Sequence, residues 1–371
     1  MKTVCEKNKC SGCMACFDVC PKDAIEFIDD IEYFNAVIDE EKCINCNACH
    51  TVCQKENPAE LKEPVAWYQG WARDQEVRSN SSSGGYANAI CKAFIENGGI
   101  VASCKLSNGD FRFFLARDYE EMQGFAGSKY VKSNAAGIYK QVKRELIKGR
   151  KVLFLGVPCQ VSAMINYVGK KLLPQLYTID LICHGSPSKK ILDMALKEYG
   201  YTWPDINKID FRNNTKFQLR INMKNVLPIR VQEKYMYLFL NGVNYTENCY
   251  SCYYATGKRV GDVTLGDSWG SELNDEEMER GISLALIQSE KGKSLIDMAS
   301  LNIYDVDLEK AKIPNTQLRH PVRISKEHDE FFKQIRSGKS FCEATKKTNP
   351  FFWYKQDIKK IMLKLNIIKD C

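Results

Sequence analysis

Cys10, Cys13, Cys16 and Cys20 recur as Cys43, Cys46, Cys49 and Cys53, every position displaced by 33 residues. Each set reads Cys-x2-Cys-x2-Cys-x3-Cys. Three thiolates two residues apart can wrap one iron–sulfur cube on a tight loop, while the fourth points away and reaches a neighbouring cube. The spacing therefore assigns one [4Fe–4S] cluster to Cys10, Cys13, Cys16 and Cys53, and a second to Cys43, Cys46, Cys49 and Cys20. Zinc normally takes two separated Cys-x2-Cys pairs, so the triplets argue against it. Nine of the 17 cysteines fall in the first 53 residues. A secreted disulfide scaffold is usually shorter and opens with a signal peptide, and Met1–Lys7 has no apolar stretch to serve as one. The expectation is a reducing, cytoplasmic setting in which thiolates hold metal.

Residues 8–56 resemble bacterial two-cluster ferredoxins. One departure is Gln54, where that pattern usually has a second proline; it bears on chain direction, not ligation. Cys5 has no place in the scheme and reads as a spare thiol. His50 lies in the second loop, whose four sulfurs are already assigned. About fifty residues cannot bury a stable apolar core unaided. Ile25, Phe27, Tyr33, Phe34, Val37 and Ile38 are expected to form small strands around the clusters, which act as staples.

At about 150 residues per domain, 371 residues suggest two or three domains. Hydrophobic residues make up 44% and charged residues 27%, which excludes disorder and collagen. No run of 18 apolar residues occurs, so no membrane-spanning helix is expected. Residues 1–60 hold 6 Lys/Arg against 12 Asp/Glu, although the whole chain carries +7. An acidic head on a basic body suits an electron carrier docked on a larger domain, or a body that attracts anionic cofactors. Two domains of differing surface give the same balance. No basic run with interleaved aromatics argues for nucleic-acid binding.

After a linker from Asn57-Pro58 to Pro64 the pattern alternates. Val65–Trp71 reads as a strand, Tyr86–Asn97 as a helix, and Ile100–Leu106 with Phe111–Arg117 as a hairpin turning at Asn108-Gly109. Ala135–Lys148 reads as a helix. Lys151–Leu155 and Leu176–Ile182 read as buried strands, ending in Gly156-Val157-Pro158-Cys159-Gln160 and Cys183-His184-Gly185-Ser186-Pro187, with Pro187 suited to the first turn of the next helix. Ligands gather beyond the carboxyl ends of such strands, which is where Cys159 and Cys183 fall. Free cysteines there are also ordinary buried hydrophobes. Cys249-Tyr250-Ser251-Cys252 adds a pair that zinc ribbons and redox dithiols share, and together the four supply the thiolates of a third cluster.

The order Ser-Ser-Gly-Gly (82–85), Gly-Val-Pro-Cys-Gln, Cys-His-Gly, Cys-x2-Cys and Gly-Asp-Val-Thr-Leu-Gly-Asp-Ser-Trp-Gly (261–270) resembles the coenzyme F420 hydrogenase/dehydrogenase beta-subunit family, which also includes 7-hydroxymethyl chlorophyll a reductase. The resemblance spans roughly residues 65–300. It implies FAD and a third [4Fe–4S] cluster, the latter on Cys159, Cys183, Cys249 and Cys252. Neither a Gly-x-Gly-x-x-Gly fingerprint nor a P-loop occurs. Ser82, Ser83, Gly84 and Gly85, before a helix, offer backbone N–H groups to a pyrophosphate, or form a flexible loop with a serine cap. Gly127-Ser128-Lys129-Tyr130 resembles a family segment near the flavin. Lys129 is expected to balance reduced flavin and Tyr130 to stack on a ring, against a surface lysine and a core tyrosine. His184 is the catalytic candidate, as proton donor or as a partner of a cluster sulfur, with a structural histidine as the plainer option. Asp267 and Trp269 are expected to line the same pocket.

The expected fold is an α+β ferredoxin-like dicluster head fused to a mixed α/β flavin and iron–sulfur body. The expected divisions are 1–57, 65–305 and a helical extension over 306–371. The implied activity is that of an FAD-dependent iron–sulfur oxidoreductase, anaerobic in habit. It exchanges a hydride with an organic or deazaflavin-type substrate and passes single electrons through clusters to or from a ferredoxin-like or other redox partner. The alternative is a non-catalytic electron-transfer subunit of a larger redox complex. In the tail, Phe351-Phe352-Trp353-Tyr354 leads into Ile358, Ile361, Met362, Leu365 and Ile368 at helical spacing, among Lys355, Lys359, Lys360, Lys364 and Lys369. Docking of that face on the body is expected first, with peripheral contact at an anionic inner membrane face as the other reading.

Overall fold

The 33-residue sequence repeat is a repeat in space. In a computed structural model describing residues 2–213 and 216–369, each cysteine triplet enters a one-turn helix, Ala15–Val19 and Ala48–Val52. Each helix starts after a left-handed residue, Met14 (φ 66°) and Asn47 (φ 58°), which turns the loop back on itself. Between the repeats lie β1 (Ile25–Asp29) and β2 (Phe34–Ile38), antiparallel from Ile25↔Ile38 to Asp29↔Phe34.

The body is built on one eight-stranded mixed sheet. Its strands in chain order are β3 (Ala66–Ala72), β4 (Ile100–Ser107), β5 (Asp110–Ala116), β6 (Val152–Gly156) and β7 (Leu176–Leu181). A separate antiparallel set follows, β8 (Ile209–Asn213), β9 (Lys216–Ile221) and β10 (Lys224–Asn225). The sheet is completed by β11 (Val263–Asp267), β12 (Ser283–Ile287) and β13 (Leu301–Tyr304). The spatial order is β13-β3-β12-β11-β7-β6-β4-β5, with β11, β7, β6 and β4 parallel at the centre. The central strands bury both faces. Val152 and Phe154 join the core on one side and Leu153 the core on the other, the two-residue period of a strand with helices above and below.

Most strands and helices fall where the pattern puts them. The hairpin turns at Asn108 (φ 49°) and Gly109 (φ 72°), both in the left-handed region that a two-residue turn requires. Two boundaries differ. Helix Ile138–Ile147 starts later than Ala135 because Gly137 turns into the left-handed region (φ 88°), where it has no side chain to cap the first turn. Asp18, from the head and 2% exposed, does so instead, accepting N–H bonds from Gly137, Tyr139 and Lys140 at 2.7, 3.0 and 3.3 Å. Burial raises the Asp18 pKa, and these backbone donors oppose the rise. Pro187 does not enter the first turn of helix Lys189–Glu198. Ser188 caps that helix, its Oγ accepting from Lys190 N–H at 3.1 Å, and Pro187 stands one residue outside.

The head is not a separate lobe. Val4, Cys10, Cys16, Ala36 and Val52 share a continuous buried core with Ile138, Tyr139, Val161 and Met164 of the body. The linker is held as well. Ala59 N–H donates to Ser162 Oγ at 2.9 Å, and Lys62 bridges to Arg259.

The C-terminal helix Pro350–Lys364 corrects the expectation for the tail. Trp353, 1% exposed, docks on the body against Tyr237 (4.8 Å between rings) beneath Lys234 (5.4 Å). Gln356 Oε1 accepts from Gln232 N–H at 3.0 Å on the same side. The predicted apolar face lies opposite, so Phe351, Tyr354, Ile358, Ile361 and Leu365 are exposed. No helix among the described residues is long and apolar enough to cross a membrane.

Candidate cofactor and electron-transfer site

The first predicted head set, Cys10, Cys13, Cys16 and Cys53, is buried in the shared core. The second, Cys20, Cys43, Cys46 and Cys49, lines a small cavity at the surface, with Cys46 exposed. Cys53 thus lies in the core with the first triplet, and Cys20 lines the cavity of the second. Backbone N–H groups aim at sulfur in matching places. Gly12 donates to Cys10 Sγ at 3.4 Å, and Asn45, its counterpart 33 residues on, donates to Cys43 Sγ at 3.4 Å. Such bonds favour thiolate and tune a cluster's potential. Among the described residues no three ligand side chains converge as they would on a single metal ion. A cube, held at four corners, spreads its ligands wider.

Cys5 is the residue that spacing missed. It is buried beside Cys10 and Cys53, hydrogen-bonded to both, which pushes its own pKa up and pulls theirs down. No local motif announces it, since β2 carries it there through Val4 N–H bonding Ala36 C=O at 2.9 Å. Gln54 also gains a role. Buried, it donates through Nε2 to Ser11 Oγ at 2.9 Å and accepts from Tyr254 O–H at 2.6 Å, tying the first head loop to the segment after Cys252.

The four body cysteines line one cavity of about 710 Å³, within the ~300–1,000 Å³ of cofactor-sized sites. Cys159 follows β6 at the start of helix Pro158–Val168, Cys183 follows β7, and Cys249 and Cys252 sit on the loop before β11. Cys159 feels both Cys183 and Cys252, and Cys183 feels Cys249 and Cys252; burial is the main cause raising Cys159, Cys183 and Cys252, with Cys183 pushed to about 12. Cys159 and Cys252 of the cavity and Cys20, Cys43 and Cys49 of the second head set all pack against the core that holds Cys10, Cys13, Cys16 and Cys53. The Cys249 loop is pinned by buried Arg259, and Tyr250 O–H meets His328 Nδ1 at 2.9 Å, a partner for His328 that sequence did not reveal.

The same cavity collects the predicted flavin segments. Ser82, Ser83, Gly85, Lys129 and Tyr130 line it, and Ser82 Oγ accepts from Ser128 N–H at 2.6 Å, joining the two. Gly84 lies behind them, where a Cβ would come 2.3 Å from Gly70 C=O, so the loop requires glycine there. Lys129 gives its three protons to the carbonyls of Gly124, Phe125 and Ala126 (3.1, 2.6 and 2.9 Å), and burial lowers its pKa to about 8. Its ammonium therefore braces the cavity wall. Tyr130 stacks on Phe239 at 4.4 Å. His184 lines the cavity, with its pKa lowered by burial, Asp267 opposing and Arg212 reinforcing. Asp267 forms a two-point bridge to Arg212 (2.7 and 2.9 Å), whose guanidinium lies over Phe217 at 4.8 Å and Trp269 at 5.8 Å. Arg212, on β8, belonged to no motif.

The fold and the cysteine arrangement define a mixed α/β iron–sulfur protein with an N-terminal dicluster head, and residues 9–57 match a 4Fe-4S dicluster domain. Residues 67–139 match the coenzyme F420 hydrogenase/dehydrogenase beta subunit N-terminal model, and residues 149–310 its C-terminal counterpart. The chain belongs to that family. Among solved structures it is similar to a chain of the F420-reducing [NiFe] hydrogenase complex from Methanosarcina barkeri, with TM-score 0.50 and 18% identity over 74% of this chain and 95% of that one. At that identity the likeness is one of fold. No curated protein matches the chain.

Proposed function

We propose that this chain is an iron–sulfur electron-transfer subunit that passes single electrons between a redox partner at its head and the cavity of its body, within a larger redox complex. The observation that carries the reading is one core that holds Cys10, Cys13, Cys16 and Cys53 and has Cys20, Cys43 and Cys49 of the head and Cys159 and Cys252 of the cavity packed against it. The proposal takes Cys10, Cys13, Cys16 and Cys53 as ligands of one [4Fe–4S] cluster, Cys20, Cys43, Cys46 and Cys49 of a second, and Cys159, Cys183, Cys249 and Cys252 of a third. The hydrogenase complex containing the similar chain agrees with a multi-subunit setting, in which a ferredoxin-like or other redox protein meets the head. The divisions at 1–57, 65–305 and 306–371 belong to the same proposal.

The cavity favours a second reading, an FAD-dependent oxidoreductase acting on a small organic or deazaflavin-type molecule. Its volume and its wall of Ser82–Gly85 and Gly127–Tyr130 beside four thiols fit such a group. Flavin, when bound, joins two-electron to one-electron chemistry. The chain's own part is to offer backbone N–H groups at Ser83–Gly85, to present His184 to a substrate, and to hold Asp267 through Arg212.

Iron and flavin content of protein purified without oxygen separates the readings. About 12 irons per chain, the total of three cubes, without flavin supports the relay; adding one FAD supports the enzyme. Zinc in place of iron, or about eight irons, overturns the three-cluster reading.

The exposed face of the C-terminal helix supports a peripheral contact with an anionic membrane. Phe351, Tyr354, Ile358, Ile361 and Leu365 form one stripe, with Lys355 and Lys359 on one flank and Lys360 and Lys364 towards the other. Lysines can lie along such a stripe with their charges at the headgroups, each worth roughly 1 kcal/mol. The Ile358→Asp/Ile361→Asp variant is expected to lose at least about tenfold in binding to phosphatidylserine vesicles, because each buried apolar side chain contributes about 1.5–3 kcal/mol. Unchanged sedimentation with those vesicles would reject the contact.

A further inference from the structure

Lys132 stands between the first head group and the body group. Its Nζ donates to Ser11 C=O at 3.0 Å, inside the Cys10–Cys13 loop, and lies 5.3 Å from the centre of the Phe34 ring. Its backbone N–H is fixed by Pro187 C=O at 2.9 Å, three residues beyond His184. The side chain is half-buried and lines the cavity with Gly12, Cys159 and Cys183. It thus touches the first head loop at Ser11 and shares the cavity wall with the body thiols Cys159 and Cys183. Among the described residues no carboxylate forms an ion pair with Lys132, so the carbonyl and the ring hold the ammonium without cancelling its charge.

We propose that Lys132 sets the reduction potentials of the two clusters it separates, favouring the reduced form of both and so poising electron passage between head and body. The inference rests on the reading of both thiol groups as cluster sites. Reduction adds one negative charge to a cluster, and a nearby fixed ammonium, partly shielded from water, stabilises that charge. One cation facing both sites shifts both in the same direction, which keeps their difference small while raising the pair.

The test is an anaerobic redox titration of the full chain, followed by electron paramagnetic resonance, for wild type, Lys132→Gln and Lys132→Arg. In Lys132→Gln the reduced-to-oxidised ratio of both clusters at a fixed potential should fall about tenfold, a shift of about 59 mV for one electron. Lys132→Arg, which keeps the charge, should stay near wild type. Wild-type potentials in Lys132→Gln with full iron overturn the proposal alone. So does loss of iron from both variants, which would make the lysine a strut of the fold. About eight irons in wild type overturns the proposal and the three-cluster reading together.

Discussion

Arg259→Ala will lower the stability of the chain by about 3–5 kcal/mol, the usual cost of removing one partner of a buried ion pair, and on the proposed three-cluster reading it will empty the body site of its iron. Arg259 and Asp180 are 1% and 0% exposed and meet at 3.0 Å. The guanidinium also donates to Tyr254 C=O at 2.8 Å, Leu181 C=O at 3.0 Å and Thr264 Oγ1 at 3.3 Å. Asp180, near the end of β7, accepts from Val260 and Gly261 N–H at 3.1 and 2.9 Å. One pair thus clamps the loop carrying Cys249 and Cys252 onto the strand that delivers Cys183. Without it, a buried carboxylate and several carbonyls lose their partners at once. Arg259→Lys keeps the charge but not the fork, and should fall between the two. Iron analysis and urea midpoints under anaerobic conditions check this. Full iron with an unchanged midpoint would show that the clamp is dispensable.

Chelation of the head's iron from the anaerobic protein will proceed in two phases, and the second will unfold the head. Cys46 is exposed and its three companions half-buried, whereas Cys10, Cys13, Cys16 and Cys53 are buried. The outer site should therefore lose iron first with little structural change. Loss of the inner one removes the staple that ties the small strands of the head into the shared core. Amide hydrogen exchange should then show lost protection in β1, β2 and helix Ile138–Ile147, which Asp18 caps, with β6 and β7 still protected. Protection of β1 and β2 after all iron has gone would contradict this.

What the sequence disclosed follows from distance along the chain. The head cysteines were legible because ligand spacing is a local property, and the strands because burial on both faces leaves continuous apolar runs. The grouping of Cys159 and Cys183 could be expected from strand ends, and that of Cys249 and Cys252 was suggested by their spacing and strengthened by the family resemblance. Arg212 with Asp267, Asp18 with the backbone at 137–140, and Tyr250 with His328 are pairings across 55 to 122 residues, and even where one end lies in a motif nothing local names the other. Gln54 shows the same limit in reverse. Where a ferredoxin-like pattern has proline, this chain needs an amide, because Ser11 and Tyr254 converge on it. The tail failed for another reason. Helical periodicity reveals an apolar face but not which of two faces the body will cover.

The core that runs without interruption from Val4 to Met164 has a kinetic meaning. A carrier tethered by a loose linker must diffuse to its acceptor on every turnover, and solvent viscosity then governs its rate. Here the terminal is welded to the housing, so the interval between inner head and cavity is set once, at folding, and electron hopping across it will be indifferent to viscosity.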